Sequence, residues 1–508
     1  MASSQIDVRG ASLARHTALN MAGYVVPLLC VVFATPYIVN GLGKERFGVL
    51  SLTWALLGYF TLFDLGLGAA TTRFVAEARG AGRTEDIPKL VWTAVFTQIL
   101  LGVVAGALLG ALVPLFAHRV FHVPPELLPD AVRTFYLSTL FVPVMLVSGS
   151  FSGVLAASQR FGLVNLTRIP SQIAMYVAGI IGVYFGFSLA AIVVGVLLLR
   201  LLTLGFQIIA CLRTTPGLST VSISASLFRK MAHYGGWITV SNSINPLMFY
   251  ADRFFIGSLA GLAALTYYNV PFDLAARLWI ISTSLTMTLF PAFSILESRR
   301  DAARIASLYL KAIKYLTLIS GTAACLMVGF SREILMMWVG PDFAMKSTLV
   351  LRVLLISTLF DAPAVIASSL LEGTGQPKRL ALVKLIYLPV HLALCAALTE
   401  LYGIVGAVFA LFALRLIYSI AFGAASLRTV GLSKLEFARK LGGTFACMGG
   451  LLIVMAAISY VPVGYRLAGA GAVGVILSAV LWKHLIDETE KESLRRILKD
   501  RTWGRSRG

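Results

Sequence analysis

The sequence predicts an all-α polytopic membrane protein of about fourteen transmembrane helices: two six-helix lobes related as parallel repeats, then two C-terminal helices. Three observations predict it. The first is composition. Of 508 residues, 58% are hydrophobic and 13% charged, and the mean hydropathy is +0.84. Soluble chains carry about 25% charged residues, and many apolar runs of about 20 residues need a bilayer as solvent. The second is a stretch written twice. Arg133 to Pro170, shifted by 219 positions, lands on Arg352 to Pro389 without a gap and with eleven identities, including Ser138-Thr139-Leu140-Phe141 against Ser357-Thr358-Leu359-Phe360. The same shift pairs Pro27 with Pro246, and after a four-residue deletion Arg200 pairs with Arg415. A period this long is a duplicated domain rather than a solenoid. The third is the distribution of charge between loops.

Taken in order, the apolar runs fall at 17–40, 47–72, 89–117, 133–156, 165–186, 188–212, 233–258, 268–293, 308–330, 350–371, 380–400, 403–427, 439–461 and 464–484. Several contain Pro or Gly, which membrane helices tolerate where neighbours satisfy the freed backbone groups. With the N-terminus inside, 31 Lys and Arg lie on inner segments and 8 on outer ones, so both termini are expected in the cytoplasm. The first repeat holds an even number of spans, so both copies cross the membrane in the same sense. The expected organisation is a cytoplasmic segment at 1–16, an N-lobe at 17–214, a C-lobe at 233–429, two further spans at 439–484 and a basic cytoplasmic tail at 485–508. Parallel repeats of this kind place a substrate site between the halves and rock one against the other. The tail is either a short helix lying on the inner leaflet or a solvated one.

A net charge of +20 suggests nucleic acid at first sight, but it is the charge of inner loops, and no soluble basic domain exists to bind it. Five cysteines lie apart in or beside apolar runs, with neither metal spacing nor a disulfide framework. The first apolar run is too long for a signal peptide and reads as an uncleaved span.

Several short motifs, in order, resemble the polysaccharide and oligosaccharide flippase branch of the MATE-like MOP superfamily, the O-antigen-type flippases of lipid-linked glycans. They are Gly43-Lys44-Glu45-Arg46-Phe47-Gly48, Asp64-Leu65-Gly66-Leu67-Gly68 with Arg73, Asp252-Arg253-Phe254-Phe255-Ile256-Gly257, Phe290-Pro291, and Trp338-Val339-Gly340-Pro341-Asp342-Phe343. The resemblance covers nearly the whole chain. It implies two lobes around a central cavity that opens alternately to each side of a bacterial inner membrane. It also implies an undecaprenyl-pyrophosphate-linked oligosaccharide as cargo, moved outward for O-antigen or exopolysaccharide synthesis. Expected partners are that glycan lipid, membrane lipids and other polysaccharide-assembly proteins, and not nucleic acid. No cofactor is expected beyond a coupling cation, H+ or Na+.

Charges inside spans are the candidate site, because each costs roughly 2.5–3.5 kcal/mol to insert and so usually faces the bundle interior. Asp273 and Arg277 are four apart, hence on one helical face and able to pair. Arg277 and Arg253 are candidates to replace the hydration of a pyrophosphate with forked hydrogen bonds, or else members of ion pairs that fix helix register. Adjacent Asp252 and Arg253 favour the second reading. Arg200 and Arg415 occupy equivalent places in the two copies, as scaffold or as paired cavity arginines. Asn242, Asn245 and Tyr250 offer hydrogen bonds to sugar hydroxyls or simply pack. Asp64, Asp361 and Asp273 are candidates for a coupling proton or cation, with a helix kink or interhelical hydrogen bond as the alternative at Asp64 and Asp361. Pro27 and Pro246 are equivalent bends, and candidate hinges. The copies disagree most where Val142 becomes Asp361, Gly153 becomes Glu372 and Phe33-Ala34 becomes Asp252-Arg253, so the second copy is expected to carry the site.

Two other functions fit less well. A cation-coupled drug antiporter suits twelve spans and an acidic cavity. A membrane glycan polymerase, ligase or glycosyltransferase needs a large external loop bearing acids or histidines; here the longest runs only from His118 to Pro129, with no catalytic cluster. The expectation is a transporter and not an enzyme.

Overall fold

A computed structural model describes residues 30–59, 67–158, 160–229 and 247–462, with 244, 465 and 469. Pro27, Asp64, Asn242, Asn245 and Pro246 lie outside the described residues, as does most of the run at 464–484. The described residues are helical, with no strand among them. In chain order the helices are α1 (Cys30–Leu42), α2 (Lys44–Tyr59), α3 (Leu67–Gly80), α4 (Ile87–Leu115), α5 (Leu128–Thr139), α6 (Phe141–Ala157), α7 (Phe161–Tyr184) and α8 (Leu189–Thr214). After the first copy come α9 (247–255), α10 (Leu262–Ala276), α11 (Trp279–Ser298), α12 (Ala302–Gly329), α13 (Ser331–Trp338), α14 (Pro341–Thr358), α15 (Asp361–Gly373), α16 (Pro377–Val430) and α17 (Lys434–Ile458).

These helices require a non-aqueous solvent. On α4, Val91, Ala94, Val95, Gln98, Gly102 and Ala105 face inward, while Phe96, Leu100, Val103, Val104 and Leu108 face out at 49–60% exposure. A helix apolar on its outer face as well as its inner one is stable only against lipid. Among the described residues, seven helices are long and apolar enough to cross a bilayer, or eight if the bent pair α14–α15 is one span.

Several expected spans are broken where the sequence looked continuous. Span four divides at Leu140 into α5 and α6. Span ten divides into α14 and α15, which meet at 43°. Span eight breaks at Arg277-Leu278, between α10 and α11. Spans eleven and twelve run together as α16, interrupted at Gly403, whose φ of 59° and ψ of −136° suit only a residue without a side chain.

The helices form two compact units. One comprises the chain up to Leu274 with Lys384–Ala410; the other comprises Ala275–Val383 and the chain from Leu411 onward. The units therefore do not follow the repeat, since 247–274 and Lys384–Ala410 come from the second copy. In the first unit, α6 is the hub, packed on α3, α4 and α8. Gly102 of α4 lets the helices touch: a Cβ there would meet Pro143 Cα of α6 at 2.5 Å. In the second unit, α11 and α12 pack on α15, and α17 on α12.

The duplication is visible in this packing. Gly153 of α6 lies against Gly68 and Thr72 of α3, where an added Cβ would sit 2.9 Å from the Gly68 carbonyl oxygen and 2.8 Å from Thr72 Oγ1. Shifted by 219, those three positions become 372, 287 and 291. There α15 lies against α11 in the same manner, with Gly373 facing Phe290 and Phe293 and its carbonyl accepting from Ser294 Oγ at 3.0 Å.

Candidate functional site

The second unit gathers charge where α11, α15 and α16 meet. The turn at Leu359-Phe360 ends α14 and makes Asp361 the first residue of α15. A carboxylate suits a helix N-terminus, where unpaired N–H groups carry partial positive charge. Pro363, in the same first turn, gives up an N–H that has no intrahelical partner anyway. Asp361 Oδ2 accepts from Arg415 Nη1 at 2.8 Å and from Trp279 Nε1 at 3.1 Å. The Arg415 guanidinium also lies 5.1 Å from the Trp279 ring centroid. The Asp361 and Arg415 side chains are 18% and 16% exposed, so the pair is shielded but not sealed.

Arg277 occupies the turn two residues before Trp279. The sequence put Asp273 and Arg277 on one continuous helix, but α10 ends at Ala276 and Arg277 falls in the turn that follows. Asp273 instead lies 3.9 Å from Arg253. Arg277 is half-buried; among the described residues it makes no ion pair and its buried Nε has no hydrogen-bond partner.

Arg200 provides the comparison. It is the first-copy equivalent of Arg415, and it lies 5.8 Å from the ring of Phe141, the equivalent of Phe360. The next residue is Val142 where the second copy has Asp361. The guanidinium is therefore retained in both copies and its carboxylate in one. Among the described residues Arg200 forms no ion pair, and its buried Nε has no hydrogen-bond partner.

Arg253 is differently placed, in the first unit. It is 6% exposed, donates from Nε to Asn269 Oδ1 at 3.0 Å and from Nη1 to the Phe249 carbonyl at 3.0 Å, and lies 3.9 Å from Asp252. The rings of Phe272, Phe249 and Tyr250 surround it at 4.2, 5.1 and 5.4 Å. Tyr268 donates to Asp252 beneath. Every face of the guanidinium is engaged, which is the arrangement of an internal fastening between α9 and α10. Tyr250 belongs to that enclosure. The sequence did not single out Trp279, Tyr268 or Asn269; each acts on a charge in another helix, and spacing along the chain carries no signal of that.

The fold and these in-span charges define a multi-pass α-helical membrane protein built like the MOP-superfamily transporters. An inward-facing multidrug resistance MATE family transporter of that superfamily superposes with a TM-score of 0.71 over 81% of this chain and 94% of its own, at 16% identity. The polysaccharide biosynthesis protein family profile matches residues 13–297, more than half of the chain, and the chain belongs to that family. A MatE profile matches residues 238–397. Among curated proteins, a candidate O-antigen transporter of Shigella flexneri is 27% identical over 78% of this chain and 93% of its own length. A candidate flippase of Haloferax volcanii, AglR, is 24% identical over 92% and 96%.

Proposed function

We propose that this protein is a flippase that carries a polyprenyl-pyrophosphate-linked oligosaccharide from the cytoplasmic to the outer leaflet of a bacterial inner membrane, without covalent chemistry. The names of the Shigella and Haloferax relatives support cargo and activity, and the inward-facing state of the MATE neighbour supports alternating access. The excess of Lys and Arg on alternate loops supports cytoplasmic termini.

The observation that carries the reading is that two in-span guanidinium groups, Arg200 in the first unit and Arg277 in the second, each form no ion pair among the described residues. An unneutralised charge in a membrane span is costly, and a doubly anionic pyrophosphate is a ligand that repays the cost. A drug-cation antiporter would place carboxylates there instead. Asp361 is the coupling carboxylate in this reading: a proton or sodium ion that takes Asp361 competes with Arg415 and releases that arginine for the head group. Asp273, held near Arg253, is not used.

The test is leaflet exchange of extracted lipid-linked glycan in proteoliposomes. Wild-type protein should expose the glycan to an external lectin, and Arg277→Ala should stay membrane-inserted yet lose at least tenfold in rate. Unchanged exchange by Arg277→Ala removes that residue from the site. Absence of exchange by wild-type protein, with efflux of a lipophilic cation instead, overturns the flippase reading.

A further inference from the structure

One cavity lies wholly within the second unit, between α11, α15 and α16. It is an open pocket of about 530 Å³ lined by Thr286, Phe290, Ser368, Ser369, Glu372 and Tyr418. Its position along α15 follows from helix geometry. Asp361 and Glu372 are eleven residues apart, three helical turns on one face, or about 16 Å along the axis. The cavity is thus the far end of the wall that begins with the Asp361–Arg415 pair.

The repeat shows how the polar groups beside this pocket differ between the copies. In the first copy the serine equivalent to Ser369 belongs to a hydrogen-bonded network. Ser150 Oγ donates to Gln98 Oε1 at 2.6 Å, and Gln207 joins Ser148, Ser152 and Thr167 at 2.7–3.1 Å. Shifted by 219, Ser150 and Gln98 become Ser369 and Thr317; with the later offset Gln207 becomes Phe422. Both amides are gone. Ser369 Oγ and Thr317 Oγ1 have no hydrogen-bond partners among the described residues, although the residues are buried, at 4% and 1% exposed. A threonine is too short to replace the glutamine. Gly153, which closes α6 onto α3, has meanwhile become Glu372, an exposed carboxylate that forms no ion pair among the described residues. The second copy has lost both amides and gained an acid, and Ser369 Oγ at the pocket wall has no hydrogen-bond partner among the described residues.

We infer that this cavity is a sugar-ring subsite, in which Glu372 accepts hydrogen bonds from the hydroxyls of a neutral glycan residue and Phe290 and Tyr418 offer aromatic faces to its C–H surface. The inference depends on the flippase reading above and deepens it. The volume lies within the range of about 300–1,000 Å³ usual for organic ligands, and a mostly apolar lining with a few placed polar groups is their usual environment. A hard cation instead needs roughly six or more oxygens converging at 2.3–2.6 Å, whereas these oxygens are spread over three helices with carbon between them. An ionised carboxylate accepts only, and suits a ligand rich in hydroxyl donors. Phe290 is 44% exposed, an aromatic face open to such a ring.

The test labels Glu372 of the full chain in nanodiscs with a hydrophobic carbodiimide, read by peptide mass spectrometry, with Glu372→Gln as the blank. Free N-acetylglucosamine or galactose should slow labelling, about twofold at half saturation, while sodium and tetraphenylphosphonium should not. In Phe290→Ala, labelling should persist and protection by sugar should be lost. Protection by sodium or by the organic cation alone, or by nothing, overturns the subsite. Protection by sugar without leaflet exchange in proteoliposomes overturns the flippase reading and leaves the subsite standing; exchange without protection does the reverse.

Discussion

Cutting the link between Asp361 and Arg415 tests the electrostatic account of the second unit most directly. Asp361→Asn removes the negative charge but leaves a carbonyl oxygen that can still accept from Arg415 at 2.8 Å or Trp279 at 3.1 Å. Removing one partner of a buried pair costs about 3–5 kcal/mol, chiefly because the other charge is stranded. The retained oxygen and the residual exposure of 16–18% place Asp361→Asn at the low end, about 3 kcal/mol. Arg415→Gln strands Asp361 and should cost a similar amount. The double variant strands nothing, so its loss should fall short of the sum by at least about 1.5 kcal/mol. The assay is a four-member cycle of unfolding midpoints in mixed micelles, at one protein concentration and one scan rate because membrane-protein unfolding is often irreversible. Additivity within about 0.5 kcal/mol would refute the reasoning.

Two further outcomes follow from the differences between the copies. Arg200→Gln should leave the unfolding midpoint unchanged or raise it, because the lost guanidinium has no carboxylate to strand, yet it should slow leaflet exchange about tenfold, read by lectin capture. Gly153→Ala should lower stability by about 1–3 kcal/mol by overpacking, since its Cβ would sit 2.8 Å from Thr72 Oγ1. Gly162→Ala, with open space around it, should change the same midpoint little.

Much of the fold was legible because hydropathy and loop charge are local quantities. The runs at 89–117 and 188–212 correspond to α4 and α8 within a few residues. The breaks were less legible. Arg277-Leu278 contains neither glycine nor proline, whereas the turn at Leu359-Phe360 is signalled by Pro363, which has no N–H for the Leu359 carbonyl. For the charges, the sequence marked Asp361 as an in-span carboxylate, and no Lys or Arg stands three or four residues from it along the chain. That remains true along α15, but its partner comes from α16, fifty-four residues later.

By itself the sequence determined that the chain lives in a membrane, that it contains one unit written twice, and that the second writing gained acids. These follow from composition, constant offset and residue identity, none of which needs coordinates. Tertiary structure decided which charges are answered. Asp361 neutralises Arg415, while Arg200, the twin of Arg415, lies against the Phe141 ring and forms no ion pair among the described residues, and Arg253 is enclosed by rings and hydrogen bonds. The energy of a charge inside a protein depends on what lies within a few ångströms of it, and neighbours at that range come from helices distant in sequence.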